Sequence, residues 1–386
     1  MKKVVATERL PIKMWLDELE DEALAQAKNL ASLPFAFKHI PIMPDSHVGY
    51  GMPIGSILAS EGVVVPNAVG VDIGCGMCAM KTSLQTIEKD ELKKTLGIAR
   101  KLIPLGMNWH DEKQDESLMP EGAEALEIVN RGYTKALKQI GTLGGGNHFI
   151  EIQKGSDGFI WIMIHSGSRN LGYGVAKYFN HMALKLNEKW HSSVTRKMDL
   201  AFLPIETKEA KDYLAEMNYC VEFALANRKL MMTRMVEALK EVVADFECDE
   251  IINKSHNFAA WENHFGKDVL VHRKGATQAR DGELGMIPGS QGTKSYIVKG
   301  LGNPESFMSC SHGAGRKLGR KQAQKTLDLK EEIQKLEKVG VIHGIRNKKD
   351  LDEAVGAYKD IGEVMNNQTD LAEIVVELTP LAVLKG

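Results

Sequence analysis

A β-hairpin is predicted by residues 148–166, which have the sequence HFIEIQKGSDGFIWIMIHS. The runs HFIEIQ and FIWIMIHS are rich in β-branched and aromatic residues, and GSDG at 155–158 between them is typical of a turn. His148 enters the first strand and His165 leaves the second. Antiparallel pairing would bring these two ends together, as a shared metal site requires.

Further candidate metal ligands lie in short glycine-containing or polar turns: Asp72 and Cys75 in VDIGCGM, and His256 in NKSHNFA. Glycine lets the backbone approach an ion or a phosphate closely, because no Cβ stands in the way. One carboxylate, one thiolate and three imidazoles are enough ligands for two adjacent metal ions. Ligand softness alone favours zinc over magnesium or manganese. The pattern predicts a metalloenzyme that acts on phosphates.

Cys75 also begins a C-x-x-C pattern that ends at Cys78, which is typical of a zinc knuckle or a redox pair. No second C-x-x-C is present to complete a Cys₄ site. Cys78 begins an apparent strand, where we expect a buried small residue. We therefore keep Cys75 as a ligand and assign Cys78 no role.

Another histidine, His312 in SCSHGAGR, is either a further ligand or a nucleophile. An imidazole nitrogen can attack an α-phosphate and form a phosphoramidate, which keeps the nucleotide activated. GSQGTKSY at 289–296 is glycine-rich and basic like a phosphate cradle, although it does not match G-x-x-x-x-G-K-[ST]. His47, beside Asp45, is an intermediate candidate ligand. Three other histidines have no neighbouring ligand types and are weaker candidates: His110, His181 and His191.

The composition is that of an ordinary globular protein, with 43% hydrophobic and 26% charged residues among 386. No linker or repeat divides the chain, so we expect one large domain with a largely helical insertion at about 170–245. The N-terminus has no apolar signal-peptide region and no run of about 18 apolar residues occurs, which predicts a cytoplasmic protein. Five cysteines, an odd number, argue against a disulfide framework.

Strands and helices are mixed without a regular βαβ alternation, so the predicted fold class is α+β, with mixed β-sheets and peripheral helices. Methionines at helical spacing in NRKLMMTRMVEALKEVV indicate core packing. We predict a turn at 45–49 and a last strand in LAEIVVELTP (371–380). The predicted helices span 16–33, 89–103, 121–140 and 313–338.

A net charge of -2 gives no global sign of nucleic-acid binding, so only local charge bears on it. Arg273 and Arg316 adjoin glycine turns and are the better candidates for phosphate contacts. A solvated helix face explains the remaining basic residues near His312 equally well: Lys317, Lys321 and Lys325.

Five motifs and the chain end together resemble the RtcB family of RNA-splicing ligases. They are VGVDIGCGM, LGGGNHFIEI, HSGSRNLG, IPGSQGTKSYIV, SCSHGAGR and the terminal LKG. The resemblance runs from KMWLDELE at 13–20 to the last residue and is greatest to compact bacterial members. It implies an RtcB-like fold and an enzyme that joins RNA 3′-phosphate or 2′,3′-cyclic-phosphate ends to 5′-hydroxyl ends, using GTP and manganese.

Carried onto this sequence, the resemblance implies two Mn²⁺ ions. Asp72, Cys75 and His148 would hold one ion, and Cys75, His165 and His256 the other. His312 would be the residue that becomes guanylylated. Arg169 and Arg316 would bind RNA phosphate. The guanosine nucleotide would contact the following residues: Asn147, His148, Phe149, Ile150, Glu151, His256, Asn257, Pro288, Gly289, Ser290, Gln291, Ser295, His312, Gly313, Ala314, Gly315 and Lys385.

Two other functions remain open at this point. A dinuclear metallophosphoesterase would need the same metal ligands and only a water nucleophile, but it leaves His312 and Lys385 without a role. A non-catalytic RNA-binding protein with a structural metal would be expected to have Cys₄ or Cys₂His₂ spacing and a basic stripe. We expect a monomer. The RNA that is joined and the need for an accessory activating protein stay open.

Overall fold

A computed structural model describes residues 1–243 and 245–386. Its mixture of helices and strands confirms the predicted α+β class. The strands are β1 (Lys3–Val5), β2 (Ile12–Met14), β3 (Ile40–His47), β4 (Ile54–Ser60), β5 (Val63–Val64), β6 (Gly76–Lys81), β7 (Phe149–Gly155), β8 (Ile160–Ser166), β9 (Leu203–Pro204), β10 (Ile252–Ser255), β11 (Asn257–His264), β12 (Lys267–Lys274), β13 (Ala276–Gln278), β14 (Leu284–Ile287), β15 (Ser295–Gly300), β16 (Ser309–Ser311) and β17 (Ala372–Lys385). The helices are α1 (Asp21–Ser32), α2 (Pro66–Val69), α3 (Lys89–Leu102), α4 (Glu127–Gln139), α5 (Arg169–Lys189), α6 (Lys208–Lys240), α7 (Arg320–Thr326), α8 (Leu329–Val339) and α9 (Ile361–Asn366).

Two large sheets organise these strands. One sheet has six strands in the order β1-β2-β3-β4-β12-β11, and the other has seven in the order β10-β6-β8-β7-β17-β15-β14. The outermost strands of the seven-stranded sheet, β10 and β14, also contact each other, so this sheet nearly closes into a barrel. No helix in the ranges that the structure describes is long and apolar enough to cross a membrane.

The predicted hairpin is confirmed and lies at the centre of the seven-stranded sheet. Phe149, the first residue of β7, pairs with His165 near the end of β8. On its other side His165 pairs with Met77 of β6. Every residue of β8 is buried, as expected for a continuous apolar run between two strands and under α6. Met231, Met232 and Met235 of α6 belong to the same core cluster, which confirms that the methionine stripe is core.

One end of the seven-stranded sheet gathers residues from distant parts of the sequence. His148 precedes β7 and Cys75 precedes β6, while His256 follows β10. Ser255 pairs with Gly76, so Cys75 and His256 are neighbours across two strands. Lys385, the last residue of β17, pairs with Phe149 at the same end. Strand pairing therefore collects four predicted site segments in one place.

Several predicted boundaries were wrong. The predicted turn at 45–49 is instead part of β3 as far as His47, with an irregularity in its pairing to β4. Residues 313–319 are not helical, because Gly315 has φ +72 and a Cβ there would lie 1.9 Å from the carbonyl oxygen of Asp45. Close approach of two backbones thus replaces the first predicted turns of helix. The α-helices in the predicted ranges 16–33 and 121–140 begin only at Asp21 and Glu127, and the last strand continues to Lys385.

Candidate functional site

Three predicted metal ligands meet at the end of the seven-stranded sheet. The Sγ of Cys75 lies 3.5 Å from Nε2 of His148 and 3.3 Å from Nε2 of His165. Ligand atoms of these three buried residues all lie within 4.8 Å of one another. Oδ2 of Asp72 lies 3.2 Å from Nε2 of His148. Three of the five predicted ligands therefore form a group that could hold a metal ion, and Asp72 adjoins it.

Backbone carbonyl groups fix the orientation of two of these rings. Nδ1 of His148 lies 2.9 Å from the carbonyl oxygen of Leu143, and Nδ1 of His165 lies 3.1 Å from that of Asn147. A carbonyl oxygen only accepts, so each Nδ1 donates a proton, and Nε2 of each ring is directed towards the cluster. Both Nε2 atoms then face the sulfur of Cys75. A cation between these acceptors would stabilise them.

Burial also favours the neutral form of two histidines in the cluster. It lowers the pKa of His165 and of His256 well below the usual value, and nearby basic groups lower both further. Both imidazoles are therefore neutral, which is the form that binds a metal. Burial, followed by the charge of Asp72, raises the pKa of the Cys75 thiol. Burial would also raise the pKa of Asp72, but the His148 ring holds it below the usual value.

His256 links the metal-ligand cluster to His312. Its ring centroid lies 5.2 Å from that of His165 and 4.8 Å from that of His312. The backbone N–H of His256 donates to the carbonyl of Cys75 at 2.8 Å, which holds the two segments together. His256 is buried, with 3% of its surface exposed. A continuous row of imidazoles thus runs from the predicted ligands to the predicted nucleophile.

A carboxylate that the sequence did not single out as functional holds His312. Oδ2 of Asp45 lies 2.7 Å from Nδ1 of His312 and accepts the backbone N–H groups of His312 and Gly313 at 3.0 and 3.2 Å. Burial would raise the pKa of Asp45, but His312 beside it holds that pKa below the usual value, so the group is ionised. Nδ1 of His312 therefore donates to this carboxylate, and no residue that the structure describes forms a hydrogen bond with its Nε2.

The histidine next to Asp45 in sequence has a different environment. Nδ1 of His47 lies 3.1 Å from the carbonyl of Asp45. Burial lowers the pKa of His47 to about 4. His47 lines the same cavity as His312, so this intermediate candidate lies beside the site, with a neutral ring.

A cavity of about 590 Å³ opens over this cluster. That volume is in the range of small-molecule and cofactor sites. Most of the predicted nucleotide contacts line it: Asn147, Phe149, Glu151, His256, Asn257, Pro288, Gly289, Ser290, Gln291, His312, Gly313, Ala314, Gly315 and Lys385. Ser295 supports this wall from behind, since its hydroxyl accepts the N–H of Gly289 at 3.2 Å. Ile150 is fully buried in the core beneath the cavity.

Lys385 is ordered at the end of β17 and meets a buried carboxylate that the sequence analysis missed. Its Nζ lies 3.4 Å from Oε2 of Glu353. Oε1 of Glu353 also pairs with Arg316 at 3.0 Å and with Arg320 at 3.3 Å. Burial would raise the pKa of Glu353, but Lys385 and Arg316 hold it below the usual value. Three cations around one carboxylate leave this wall of the cavity net positive.

Glu151 forms a second carboxyl group in the cavity, close to the same lysine. Its Oε2 accepts from Nε2 of Gln153 at 2.6 Å. Burial raises the pKa of Glu151 to about 8, against the opposing effect of Lys385. A ligand that donates hydrogen bonds here would favour the carboxylate form.

The two arginines that were predicted to contact phosphate because they adjoin glycine turns lie in different environments. Arg273 has no exposed surface and pairs with both oxygens of Glu262, so the expected contact with phosphate is wrong for it. Arg316 lines the cavity, although Glu353 already binds its guanidinium. Arg169, at the start of α5, donates to the carbonyl of Gly106 at 3.2 Å and is half-buried beside the ligand cluster.

Comparison with known proteins gives a consistent family. The family model described as tRNA-splicing ligase RtcB matches residues 26–135 and 108–386. The chain is 38% identical to "RNA-splicing ligase RtcB" of Escherichia coli K12 over 100% of this chain and 99% of the relative. It is 32% identical to "tRNA-splicing ligase RtcB" of Nanoarchaeum equitans over 100% of this chain and 95% of that one.

Proposed function

We propose that this chain, which belongs to the RtcB family of tRNA-splicing ligases, joins RNA 3′-phosphate or 2′,3′-cyclic-phosphate ends to 5′-hydroxyl ends with GTP. The covalent intermediate would be GMP on His312. One observation carries this proposal: the buried carboxylate of Asp45 holds Nδ1 of His312 at 2.7 Å, in a cavity that adjoins the cluster of metal ligands. A phosphoesterase would use the same Asp–His pair only as a general base for water, so a covalent GMP adduct distinguishes the two functions.

The side chains at the end of the sheet fit the manganese ions that such a ligase requires. Cys75, His148 and Asp72 would hold one ion, and Cys75, His165 and His256 the other. The short distances from the sulfur of Cys75 to the two Nε2 atoms support this fit, because these are the atoms that would bind a cation. The ions would neutralise phosphate charge and orient the pyrophosphate leaving group.

His312 would act in the first step by forming a bond from Nε2 to the α-phosphorus of GTP while the bond to pyrophosphate breaks. The ring becomes cationic as this bond forms. The proton stays on Nδ1 of His312, and the carboxylate of Asp45 stabilises the positive charge. An oxygen of the RNA 3′-phosphate would next attack the same phosphorus, which breaks the bond to His312. The 5′-hydroxyl of the second RNA would finally attack the activated 3′-phosphate and release GMP.

Guanine recognition would use the charges at the end of β17 and in β7. The ammonium group of Lys385 would donate to O6, and the carboxylate of Glu151 would accept from the N1 and N2 donors. Adenine presents an amino donor where guanine has O6, so Lys385 would face a donor. Both side chains line the cavity that contains His312.

The decisive experiment incubates the protein with α-labelled GTP and Mn²⁺, denatures it and maps the labelled peptide. We expect one adduct on His312, none in His312→Ala, and the full amount in His191→Ala, where an exposed histidine outside the cavity is removed. His312→Ala should still bind manganese and should slowly seal RNA that already carries a 3′-guanylate. An adduct on another residue would refute the assignment.

A further inference from the structure

The mouth of the cavity has an aromatic side chain that none of the proposed steps uses. Tyr50 is 75% exposed, yet it lines the cavity together with His312. Its hydroxyl group makes no hydrogen bond to any residue that the structure describes. The ring therefore contributes little to the stability of the folded state and is free to contact a ligand in the cavity.

The backbone that holds this ring is fixed at several points. Gln26 uses both ends of its amide on Gly49, donating to the carbonyl at 2.6 Å and accepting the N–H at 3.2 Å. The carbonyl oxygen of Tyr50 accepts from Nζ of Lys274 at 2.6 Å and from Nδ2 of Asn67 at 3.4 Å. Lys274 also donates to the carbonyl of Asn67 at 3.0 Å. An exposed loop with this many hydrogen bonds to side chains is held in one position.

Glycine at position 51 allows a further contact with this loop. Gly51 has φ +67, and a Cβ there would lie 2.3 Å from the carbonyl oxygen of Asp199. Only glycine adopts this conformation at so close an approach without strain. Asn67 also donates to the Asp199 carbonyl at 2.8 Å. The ring is therefore presented to solvent from a rigid backbone, so little entropy is lost when a flat ligand packs on it.

The chemistry of the cavity identifies that ligand. Arg316, Arg320 and Lys385 line the cavity and would attract a phosphate backbone. Unpaired nucleobases stack on exposed aromatic rings, which is how proteins commonly hold single-stranded RNA ends. We propose that Tyr50 is a stacking platform for the unpaired terminal base of an RNA end, next to the phosphate that reacts. This inference rests on the proposed function, since it assumes RNA in this cavity.

The test measures the binding of a labelled single-stranded RNA with a 3′-phosphate by fluorescence anisotropy. Tyr50→Ala should weaken binding about 5- to 150-fold, the usual effect of removing one stacked base contact. Tyr50→Phe should bind like the unsubstituted protein, because it keeps the ring. Trp261→Ala, which removes a half-exposed aromatic residue from β11 outside the cavity, should have no effect. Equal affinity of Tyr50→Ala and the unsubstituted protein, both for this RNA and for an RNA with a 5′-hydroxyl end, would overturn the proposal.

RNAs with an abasic terminal nucleotide identify which base is stacked. One RNA has an abasic residue at its 3′-phosphate end, and the other has one at its 5′-hydroxyl end. For one of these two RNAs, Tyr50→Ala should no longer weaken binding. A penalty that persists with both would refute stacking. Tyr50→Ala should form the GMP adduct with an unchanged KM for GTP, and a raised KM would assign the platform to guanine instead. The absence of any adduct in the unsubstituted protein would refute the proposed function without affecting the binding result.

Discussion

Replacing Asp45 with asparagine should slow guanylylation while leaving the metal site intact. The side chains are almost isosteric, so the packing around position 45 is retained and the negative charge is lost. Oδ2 of Asp45 accepts three hydrogen bonds, from Nδ1 of His312 and from the backbone N–H groups of His312 and Gly313. None of these contacts involves Cys75 or its imidazole neighbours, so bound manganese should stay the same.

The size of the effect follows from the charge that develops on the ring. The His312 ring becomes cationic when Nε2 bonds to phosphorus, and a hydrogen bond between charged groups contributes about 1.5–3 kcal/mol. Loss of that interaction in the transition state slows adduct formation about 10- to 150-fold. The effect will be larger if the amide turns its NH₂ towards Nδ1, because His312 would then carry its proton on Nε2.

Single-turnover measurement of adduct formation with labelled GTP checks this expectation. Asp157→Asn is the matched control, because Asp157 contacts Trp161 at the distant turn of the β7–β8 hairpin. Adduct formation in Asp45→Asn at the rate of the unsubstituted protein would show that His312 needs no carboxylate, and the orientation argument would fail.

The same substitution predicts a pH dependence of stability. The folded-state pKa of Asp45 lies below its ordinary value of 3.8. A depressed carboxyl pKa contributes stability above the unfolded-state pKa, and that stability is lost as the pH falls through the folded-state value. The difference in free energy of unfolding between the protein and Asp45→Asn, measured with chelator present, should therefore be constant near neutral pH and shrink below pH 3.8. A difference that does not change with pH would contradict the ionised state of Asp45.

The remaining predictions concern the metal cluster and the chain end. Cys75→Ala should lose most bound manganese and all adduct formation. Cys78 is buried in the core, and Cys78→Ala should lower the free energy of unfolding by only about 1 kcal/mol. If Cys78→Ala lost its manganese and Cys75→Ala kept it, Cys78 rather than Cys75 would be the metal ligand. Lys385→Met should narrow the preference for GTP over ATP about 5- to 150-fold with metal content unchanged. An unchanged preference would exclude Lys385 from guanine recognition.

The hairpin and its two histidines could be predicted because their signals are local. An apolar run, a turn and a second apolar run fix antiparallel pairing within residues 148–166, and pairing alone brings His148 close to His165. The ligand cluster then required only that Cys75 enter the adjacent strand β6. His256 was also marked by the polar turn in NKSHNFA, whereas the family resemblance alone supplied Lys385, which no local pattern singles out.

Asp45 and Glu353 could not be found in this way. Asp45 is 267 positions from its partner His312, and its neighbours in the sequence are typical of a turn. Glu353 lies in a charged segment where a solvated carboxylate is the ordinary expectation, and only the fold surrounds it with Lys385, Arg316 and Arg320. The prediction that Arg273 contacts phosphate was wrong, because an adjoining glycine does not reveal that Glu262 on the neighbouring strand pairs with it.

The proposed reaction requires the two large sheets to keep a fixed position relative to each other. The metal ligands lie at the end of the seven-stranded sheet, whereas Asp45 comes from β3 of the six-stranded sheet and His312 follows β16. Glycines allow the close contacts between these parts: a Cβ at Gly275 would lie 3.0 Å from the His312 ring, and one at Gly315 would collide with the Asp45 carbonyl. A side chain at Gly275 would also meet Ile54 of β4 at 2.4 Å, so a substitution at either glycine would shift His312 relative to the six-stranded sheet. The distance between nucleophile and metal ligands is therefore set by these glycine contacts between the sheets.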